Sequence, residues 1–285
     1  MKGVLIGAGG LAGKKSVFAA AGLEISGILR PDEPLPPSGA GFAAISLPPG
    51  DAYKTALRAL EGGLDVLCEP PFCLSTTELE TLREAAERSG KTIFPVQPWE
   101  RAPALRGLEK ALDRGAAGEV NYASIKAEFP GTVNSGSAPL WQLFSLLLSS
   151  VRRPPAAIEA RMSESGPAAF HVHFGGADGF AHISGGAGSP SLRLSVSGSN
   201  GLVETDGRLL HLDIAGQERE VIEFSGGLLP GDFRDEWVAA ELSDFRMEAE
   251  GSKPRGAGLR NARYCVKLMR SAPYSASVRS AAVPL

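Results

Sequence analysis

Short apolar runs alternate with longer amphipathic segments through the first part of the chain. The apolar runs indicate strands at residues 2–7, 23–29, 42–49, 64–69 and 92–96. The segments that follow them indicate helices at residues 8–22, 53–60, 76–88 and 104–113. Ser75 and Glu78 predict a capping box at the start of the third helix, and Gly90 predicts its end. This alternation is typical of a parallel sheet with helices on both faces.

Residues 31–41 interrupt that alternation. The stretch RPDEPLPPSGAG carries four prolines and two glycines, which disfavour both a helix and a central strand. The helix and strand that would continue the alternation after the second strand are therefore expected to be missing.

The pattern changes after Gly118, where residues 119–129 alternate between apolar and polar side chains. An apolar helix is predicted at 138–149 and short strands at 157–224, with Asn200-Gly201 as a hairpin signal. Helices are predicted at 232–249 and 257–270. We therefore predict an α/β protein whose first domain, at residues 1–119, has a parallel sheet shortened after its second strand. An α+β domain with an open, largely antiparallel sheet is predicted at residues 120–285.

Composition excludes several classes of function. The net charge is −3 and no run of Lys and Arg is present, which argues against a nucleic-acid partner. The apolar run Leu140 to Leu148 is too short for a membrane span, and glycines and lysines interrupt the N-terminal stretch that imitates a signal peptide. Cys68, Cys73 and Cys265 are odd in number and lack a CxxC pair or nearby histidines, so neither a disulfide framework nor a metal site is expected. The prediction is a cytoplasmic protein with no membrane partner.

A glycine-rich turn follows the first predicted strand. Gly7, Gly9, Gly10, Leu11 and Ala12 match the pattern GxGxxG/A directly before a helix. The first glycine permits a tight turn, the second lets the backbone approach a pyrophosphate, and the small last residue lets helix and strand pack closely. The turn is therefore predicted to bind the phosphates of a dinucleotide at a helix N-terminus. Residues 1–119 are thus predicted to be a Rossmann dinucleotide-binding domain that lacks the usual crossover helix and third strand after strand two. Because that segment normally walls the adenine pocket, we also expect weaker binding of a dinucleotide.

Arg30 ends the second predicted strand, where the side chain normally decides the choice of cofactor. An acidic residue there binds the ribose 2′-hydroxyl of NAD, and an arginine favours the 2′-phosphate of NADP. Arg30 thus favours NADP, with NAD as the alternative because Asp32 lies two residues further on. The remaining interpretation is a surface arginine in a loop.

Several longer stretches resemble the glucose-fructose oxidoreductase/inositol dehydrogenase/MocA (Gfo/Idh/MocA) family. They are ISLPPGDAYKTALRALEGGLDVLCEPPFCLSTTELETLREAAERSG, GLEKALDRGAAGEVNYASIKAEF, LRLSVSGSNGLVETD and the terminal AAVPL. The resemblance implies NAD(P)-dependent oxidation or reduction of a sugar, polyol or related carbonyl compound. It also implies that Pro48 and Glu69 contribute to the cofactor site, that the Pro70-Pro71 bond is cis, and that the open sheet forms a homodimer or a higher homo-oligomer.

The departures from the family affect proton transfer. Glu69-Pro70-Pro71 stands where the family has Glu-Lys-Pro, so the lysine that orients the substrate hydroxyl is absent. In the predicted helix SAPLWQLFSLLLSS, Pro139 and Gln142 align with a His and an Asp of the family. Neither side chain is an acid or a base at neutral pH.

Three residues remain candidates for catalysis: Lys126, Tyr122 and Glu69. Lys126 and Tyr122 share a strand face that borders the substrate pocket in the family. Lys126 ranks first if it is desolvated, and an exposed strand lysine is the alternative. Glu69 ends a strand, where open α/β sheets place ligands. His171 and His173 also share a strand face and are either structural or a relocated general acid.

Two functions remain open from the sequence. The first is hydride transfer between NADP or NAD and a small, sugar-like substrate. The second is a catalytically silent protein that binds a nucleotide or metabolite in a regulatory or assembly role, which the loss of both proton-transfer positions favours.

Overall fold

A computed structural model describes residues 1–35, 39–130, 136–163, 166–186 and 188–285. The first sheet has five parallel strands: Lys2–Gly7 (β1), Glu24–Leu29 (β2), Phe42–Ser46 (β3), Asp65–Cys68 (β4) and Ile93–Pro95 (β5). The first four helices are Lys15–Ala20 (α1), Pro49–Glu61 (α2), Thr76–Ser89 (α3) and Pro103–Asp113 (α4).

The second sheet has nine strands: Val120–Pro130 (β6), Pro155–Met162 (β7), Ala168–Phe174 (β8), Ala177–Gly186 (β9), Ser191–Gly198 (β10), Gly201–Thr205 (β11), Leu209–Ile214 (β12), Glu220–Glu223 (β13) and Val283–Pro284 (β14). The remaining helices are Ala138–Val151 (α5), Asp235–Ala249 (α6) and Ala262–Ser277 (α7).

The first sheet has the order β2-β1-β3-β4-β5. A complete Rossmann sheet has the order 3-2-1-4-5-6, and among the described residues no strand lies beyond β2. In the described part of residues 31–41 the backbone forms turns and bends without a helix or strand. The prediction of a shortened Rossmann sheet is confirmed, and β2 is left as an edge strand.

Helix α6 completes the core around the first sheet. Phe245 from α6 contacts Phe42 of β3 and Phe94 of β5, with ring centroids 5.8 and 6.0 Å apart. Val238 and Leu242 of the same helix are fully buried in this cluster. A helix from late in the chain therefore covers a face of the N-terminal sheet, which chain order alone does not indicate.

The second sheet has the order β13-β12-β11-β10-β6-β9-β8-β7-β14. Neighbouring strands are antiparallel except β6 and β9, so the predicted open, largely antiparallel sheet is confirmed with one parallel pair. Helix α5 packs on β6 and β9. Its Phe144 meets Phe170 of β8 edge to face at 5.1 Å, which defines the buried side of the sheet.

The chain divides into two compact units. One comprises Met1–Pro98 with Phe233–Val266, and the other comprises Trp99–Asp232 with Lys267–Leu285. The predicted domain boundary between residues 119 and 120 lies at the start of β6. It remains a prediction. The compact units instead group α6 with the N-terminal sheet.

Several predicted element ends differ from the observed ones. Helix α1 begins at Lys15 rather than near Ala8, because the glycine-rich residues close tight turns, with Ala12 N–H on the Gly9 carbonyl at 3.1 Å. The hairpin turn between β10 and β11 precedes Gly201. Helix α7 begins about five residues later than predicted, after a 3-10 turn at Ala257–Leu259.

Other local predictions are confirmed. The Ser75 side chain accepts from Glu78 N–H at 3.1 Å, the Glu78 carboxylate accepts from Ser75 N–H at 3.1 Å, and Gly90 adopts a left-handed conformation. Within the described ranges, every helix is too short or too polar to cross a membrane.

Candidate functional site

Three adjacent strand ends of the first unit build the candidate site. Gly7 ends β1, Ser46 ends β3, and Glu69 directly follows β4. Since β1, β3 and β4 are parallel neighbours, these residues meet at the carboxyl edge of the sheet. Open α/β sheets bind their ligands at this edge.

The glycine-rich turn requires glycine for two different reasons. Gly7 has φ +100°, a conformation that side chains rarely adopt, and a Cβ there would also collide with the Ser46 carbonyl. A Cβ on Gly9 would overlap the Ser46 hydroxyl and lie 2.9 Å from Glu69 Oε2. The turn therefore packs tightly against β3 and Glu69.

The Glu69 carboxylate is hydrogen bonded to this turn. It accepts from Leu11 N–H at 2.6 Å, from Gly10 N–H at 3.2 Å, and from the Ser46 hydroxyl at 2.5 Å. Two successive backbone donors thus converge on one anionic group. The geometry is that of an anion site in which the protein supplies its own carboxylate.

This arrangement decides how a dinucleotide fits the turn. The N–H groups of Gly10 and Leu11 are the donors that a pyrophosphate would need, and the turn is shaped to direct them at an anion. Glu69 carries the same sign of charge as a pyrophosphate. The residues therefore fit the phosphates of a dinucleotide only when Glu69 leaves these donors.

The helix after the turn differs from the expected phosphate-binding helix. Helix α1 spans six residues and begins at Lys15, beyond the N–H groups that bind Glu69. Lys14 donates to Asp235 at 2.5 Å, which ties the end of the turn to α6 of the same unit. Anion binding at the turn thus depends on individual N–H groups more than on the dipole of a long helix.

The predicted cofactor residues beyond the turn lie at the surface. Arg30 is exposed and its guanidinium pairs with Glu33 at 2.9 Å, a contact that raises the pKa of Arg30 further. Pro48 is exposed and precedes α2. The Pro70-Pro71 bond is cis, as predicted from the family resemblance.

The two leading catalytic candidates lie on the open face of the second sheet. Along β6, residues 123, 125, 127 and 129 are buried, while Tyr122 and Lys126 are exposed. The Lys126 ammonium lies 3.6 Å from Glu128, and Tyr122 packs against Phe180 with centroids 5.6 Å apart. The structure therefore separates Tyr122 and Lys126 from α5, which packs on the other face.

Gln142 of α5, which the sequence aligned with an Asp of the family, has a distinctive environment. It is 2% exposed, and its carbonyl oxygen accepts from Gly231 N–H at 3.1 Å. Its amide nitrogen is buried with no hydrogen-bond partner among the described residues. Buried polar groups are normally paired, so this donor is suited to an acceptor that the described residues do not provide.

Two thiols lie close in sequence to Glu69. Cys68 and Cys73 are fully buried and neither forms a disulfide. Burial raises the pKa of Cys73 to about 12 and raises that of Cys68 well above its ordinary value. Neither thiol is therefore suited to act as a nucleophile.

Fold and turn together define a class: a shortened Rossmann unit with an anion-binding glycine turn, joined in one chain to an α+β unit. No protein-family model matches the chain. The uncharacterized oxidoreductase YfiI of Bacillus subtilis is 24% identical over 88 residues, which cover 31% of this chain and 22% of that protein.

Solved structures match over the whole chain. An oxidoreductase from Agrobacterium radiobacter in complex with NAD+, L-tartaric acid and magnesium has a TM-score of 0.80 at 16% identity, covering 100% of this chain and 98% of its own. An inositol dehydrogenase homolog from Azotobacter vinelandii, complexed with NADH and myo-inositol, has a TM-score of 0.77 at 16% identity. The match covers 100% of this chain and 97% of the homolog. The chain has the fold of the Gfo/Idh/MocA-type oxidoreductases, which confirms the resemblance seen in its sequence.

Proposed function

We propose that the protein is an NAD(P)-dependent oxidoreductase. The observation that carries the proposal is the convergence of Gly10 and Leu11 N–H groups on one anion at the carboxyl edge of a Rossmann sheet. When bound, a nicotinamide dinucleotide would supply the hydride chemistry. The glycine turn would hold its phosphates, and the chain would orient the substrate and move the proton.

A sugar, polyol or related hydroxy or carbonyl compound is the proposed substrate class. Myo-inositol and L-tartaric acid, which accompany two of the structural neighbours, are polyhydroxylated compounds. The unpaired amide of Gln142 supports this class, since a hydroxyl or carbonyl oxygen would satisfy it.

Glu69 is the proton-transfer group that the geometry of the first unit supports best. It already lies at the turn, and leaving Gly10 and Leu11 would free its carboxylate at the ligand-binding edge of the sheet. Lys126 and Tyr122 are the second candidates. Both side chains are exposed on the open sheet face, a position that equally suits an interface between two copies of the chain. We propose that this face forms a homodimer. A monomeric mass measured by light scattering would contradict that assembly.

Arg30 supports NADP over NAD through its charge at the end of β2. Its pairing with Glu33 weakens this preference, because the guanidinium already has an anionic partner. We therefore expect Arg30→Ala to weaken NADPH binding and to leave NADH binding unchanged.

The test is a titration of the purified full chain with NADH and NADPH, followed by nicotinamide fluorescence, in two matched glycine variants. In Gly9→Ala the new Cβ would collide with Ser46, so binding should weaken at least about tenfold. In Gly13→Ala the new Cβ meets nothing within 4 Å, so binding should be retained. Absence of binding by both cofactors, or equal binding by the two variants, would contradict the proposal. Oxidation of sugars, polyols and hydroxy acids with the cofactor that binds then tests the substrate class.

A further inference from the structure

Two histidines and two carboxylates form a cluster on the open face of the second sheet. His171 and His173 lie on β8, Glu159 lies on β7, and Asp178 lies on β9. Glu159 is directly opposite His171, and Asp178 is directly opposite His173. Three hydrogen-bonded strands therefore fix the positions of all four side chains.

The donor atoms are close enough to share one ion. One nitrogen of each imidazole and an oxygen of Glu159 lie within 4.8 Å of one another. Glu159 Oε1 lies 2.9 Å from His173 Nε2 and 3.9 Å from His171 Nδ1. In a tetrahedral site with metal bonds of about 2.1 Å, ligand atoms are on the order of 3.4 Å apart. The two measured distances lie on either side of that separation.

Asp178 is placed to orient both imidazoles. Its Oδ1 lies 2.8 Å from His171 Nε2 and 3.5 Å from His173 Nδ1. If these nitrogens carry the protons, the opposite nitrogen of each ring presents a lone pair toward Glu159. Phe180 stacks on His171 with centroids 4.2 Å apart and planes 11° apart, which restrains that ring. A carboxylate that holds the far nitrogen of a metal-binding histidine is a common feature of metal sites.

We propose that His171 Nδ1, His173 Nε2 and Glu159 bind one divalent transition-metal ion of the zinc class, with Asp178 as the orienting carboxylate. Two imidazoles favour such an ion over Mg²⁺ or Ca²⁺, which prefer oxygen ligands. With both histidines neutral, the two carboxylates carry two negative charges that the ion neutralises.

The position of the cluster leaves coordination sites open. The side chains of His171 and His173 are 26% and 34% exposed, so solvent reaches both rings. Three protein ligands would leave the remaining position to water or to another small ligand. This site is independent of the cofactor-binding turn, because no residue of the turn takes part in it. It lies on the same open sheet face as Tyr122, which packs on the Phe180 that stacks on His171, so the homodimer proposed for that face would place a second copy beside it.

The experiment is a Co²⁺ titration of the tag-free full chain after removal of metal with a chelator, followed by visible absorbance and repeated by calorimetry. We expect one Co²⁺ per chain, displaced by Zn²⁺. Asp178→Asn should lower the affinity by roughly 10- to 100-fold, the usual effect of losing an orienting partner. His171→Gln and His173→Gln should each lower it by at least as much.

His211→Gln is the matched control, because His211 lies on β12 of the same sheet beside Arg219 and outside the cluster. Its Co²⁺ affinity should equal that of the unchanged chain. Circular dichroism of each variant separates loss of binding from loss of fold. The proposal is overturned if the unchanged chain binds no Co²⁺, or if the double variant His171→Gln, His173→Gln binds it as tightly as the unchanged chain does.

Discussion

Glu69 occupies the backbone donors that the glycine motif would offer to a phosphate. The glycine pattern predicted a phosphate site, and the structure places an internal carboxylate on its donors. Binding of a pyrophosphate must therefore overcome both the hydrogen bonds of Glu69 and its charge. The site has the shape of a dinucleotide turn and an added electrostatic barrier.

Glu69→Gln should separate the effect of the Glu69 charge on cofactor binding from the proposed role of Glu69 in proton transfer. Because the variant removes the negative charge, we expect NADH to bind about tenfold more tightly. Because it also removes the proposed base, turnover should fall by roughly 100-fold. Binding is measured by fluorescence and turnover by nicotinamide absorbance.

Lys126→Ala and Tyr122→Phe serve as the comparison for that experiment. Each should keep cofactor affinity unchanged, since both residues lie in the second unit, outside the glycine turn. A 100-fold loss of turnover in Lys126→Ala together with full activity in Glu69→Gln would assign proton transfer to Lys126 instead.

The buried thiols give a second prediction for single residues. Since burial raises the pKa of Cys73 to about 12, only about one thiol in ten thousand is ionised at pH 8. Iodoacetamide should therefore leave Cys73 unmodified in the native protein and should alkylate all three cysteines in urea. Peptide mass spectrometry locates the label, and rapid native alkylation of Cys73 would contradict the burial described.

At the scale of elements, local sequence signals predicted helix α3 accurately. Ser75, Glu78 and Gly90 gave its start and end because capping depends on residues within a few positions of each other. Helix α1 was predicted too long, since its pattern of apolar residues continues through glycines that instead form turns. Local patterns predicted element type better than element ends.

The capping box provides a stability test for α3. Ser75→Ala removes the acceptor for Glu78 N–H, so the free energy of unfolding should fall by about 1 kcal/mol. Thr81→Ala in the same helix removes only a hydroxyl that donates to the Thr77 carbonyl. This variant should change the free energy of unfolding by less than about 0.5 kcal/mol. Urea unfolding followed by circular dichroism measures both, and equal effects would count against the capping role.

At the scale of the whole molecule, the shortened sheet has a consequence for cofactor affinity. β2 is the edge strand, and its Ile28 is 53% exposed. The segment that normally lies beyond this strand and walls the adenine is missing from the described residues. Fewer contacts should therefore hold the adenosine half of a dinucleotide.

We expect dissociation constants for NADH and NADPH above about 1 µM, corresponding to less than about 8 kcal/mol of binding free energy. Fluorescence titration of the full chain measures both values. A submicromolar constant for either cofactor would show that other residues replace the missing wall.

The sequence by itself determined the features that depend on neighbouring residues. The alternation of strands and helices, the glycine turn, the capping box and the proline-rich gap at 31–41 follow from local periodicity and backbone preference. These features were enough to predict a shortened Rossmann sheet and a second, largely antiparallel sheet.

Only the tertiary structure decided the features that join distant residues. The contact of Glu69 with Leu11 spans 58 positions, α6 joins a sheet formed by the first 95 residues, and the histidine cluster combines three strands. Sequence periodicity indicates which face of an element is buried, but not which other element covers it. The position of a side chain across strands depends on register and packing, and in this protein register and packing fix both the carboxylate at the turn and the proposed metal site.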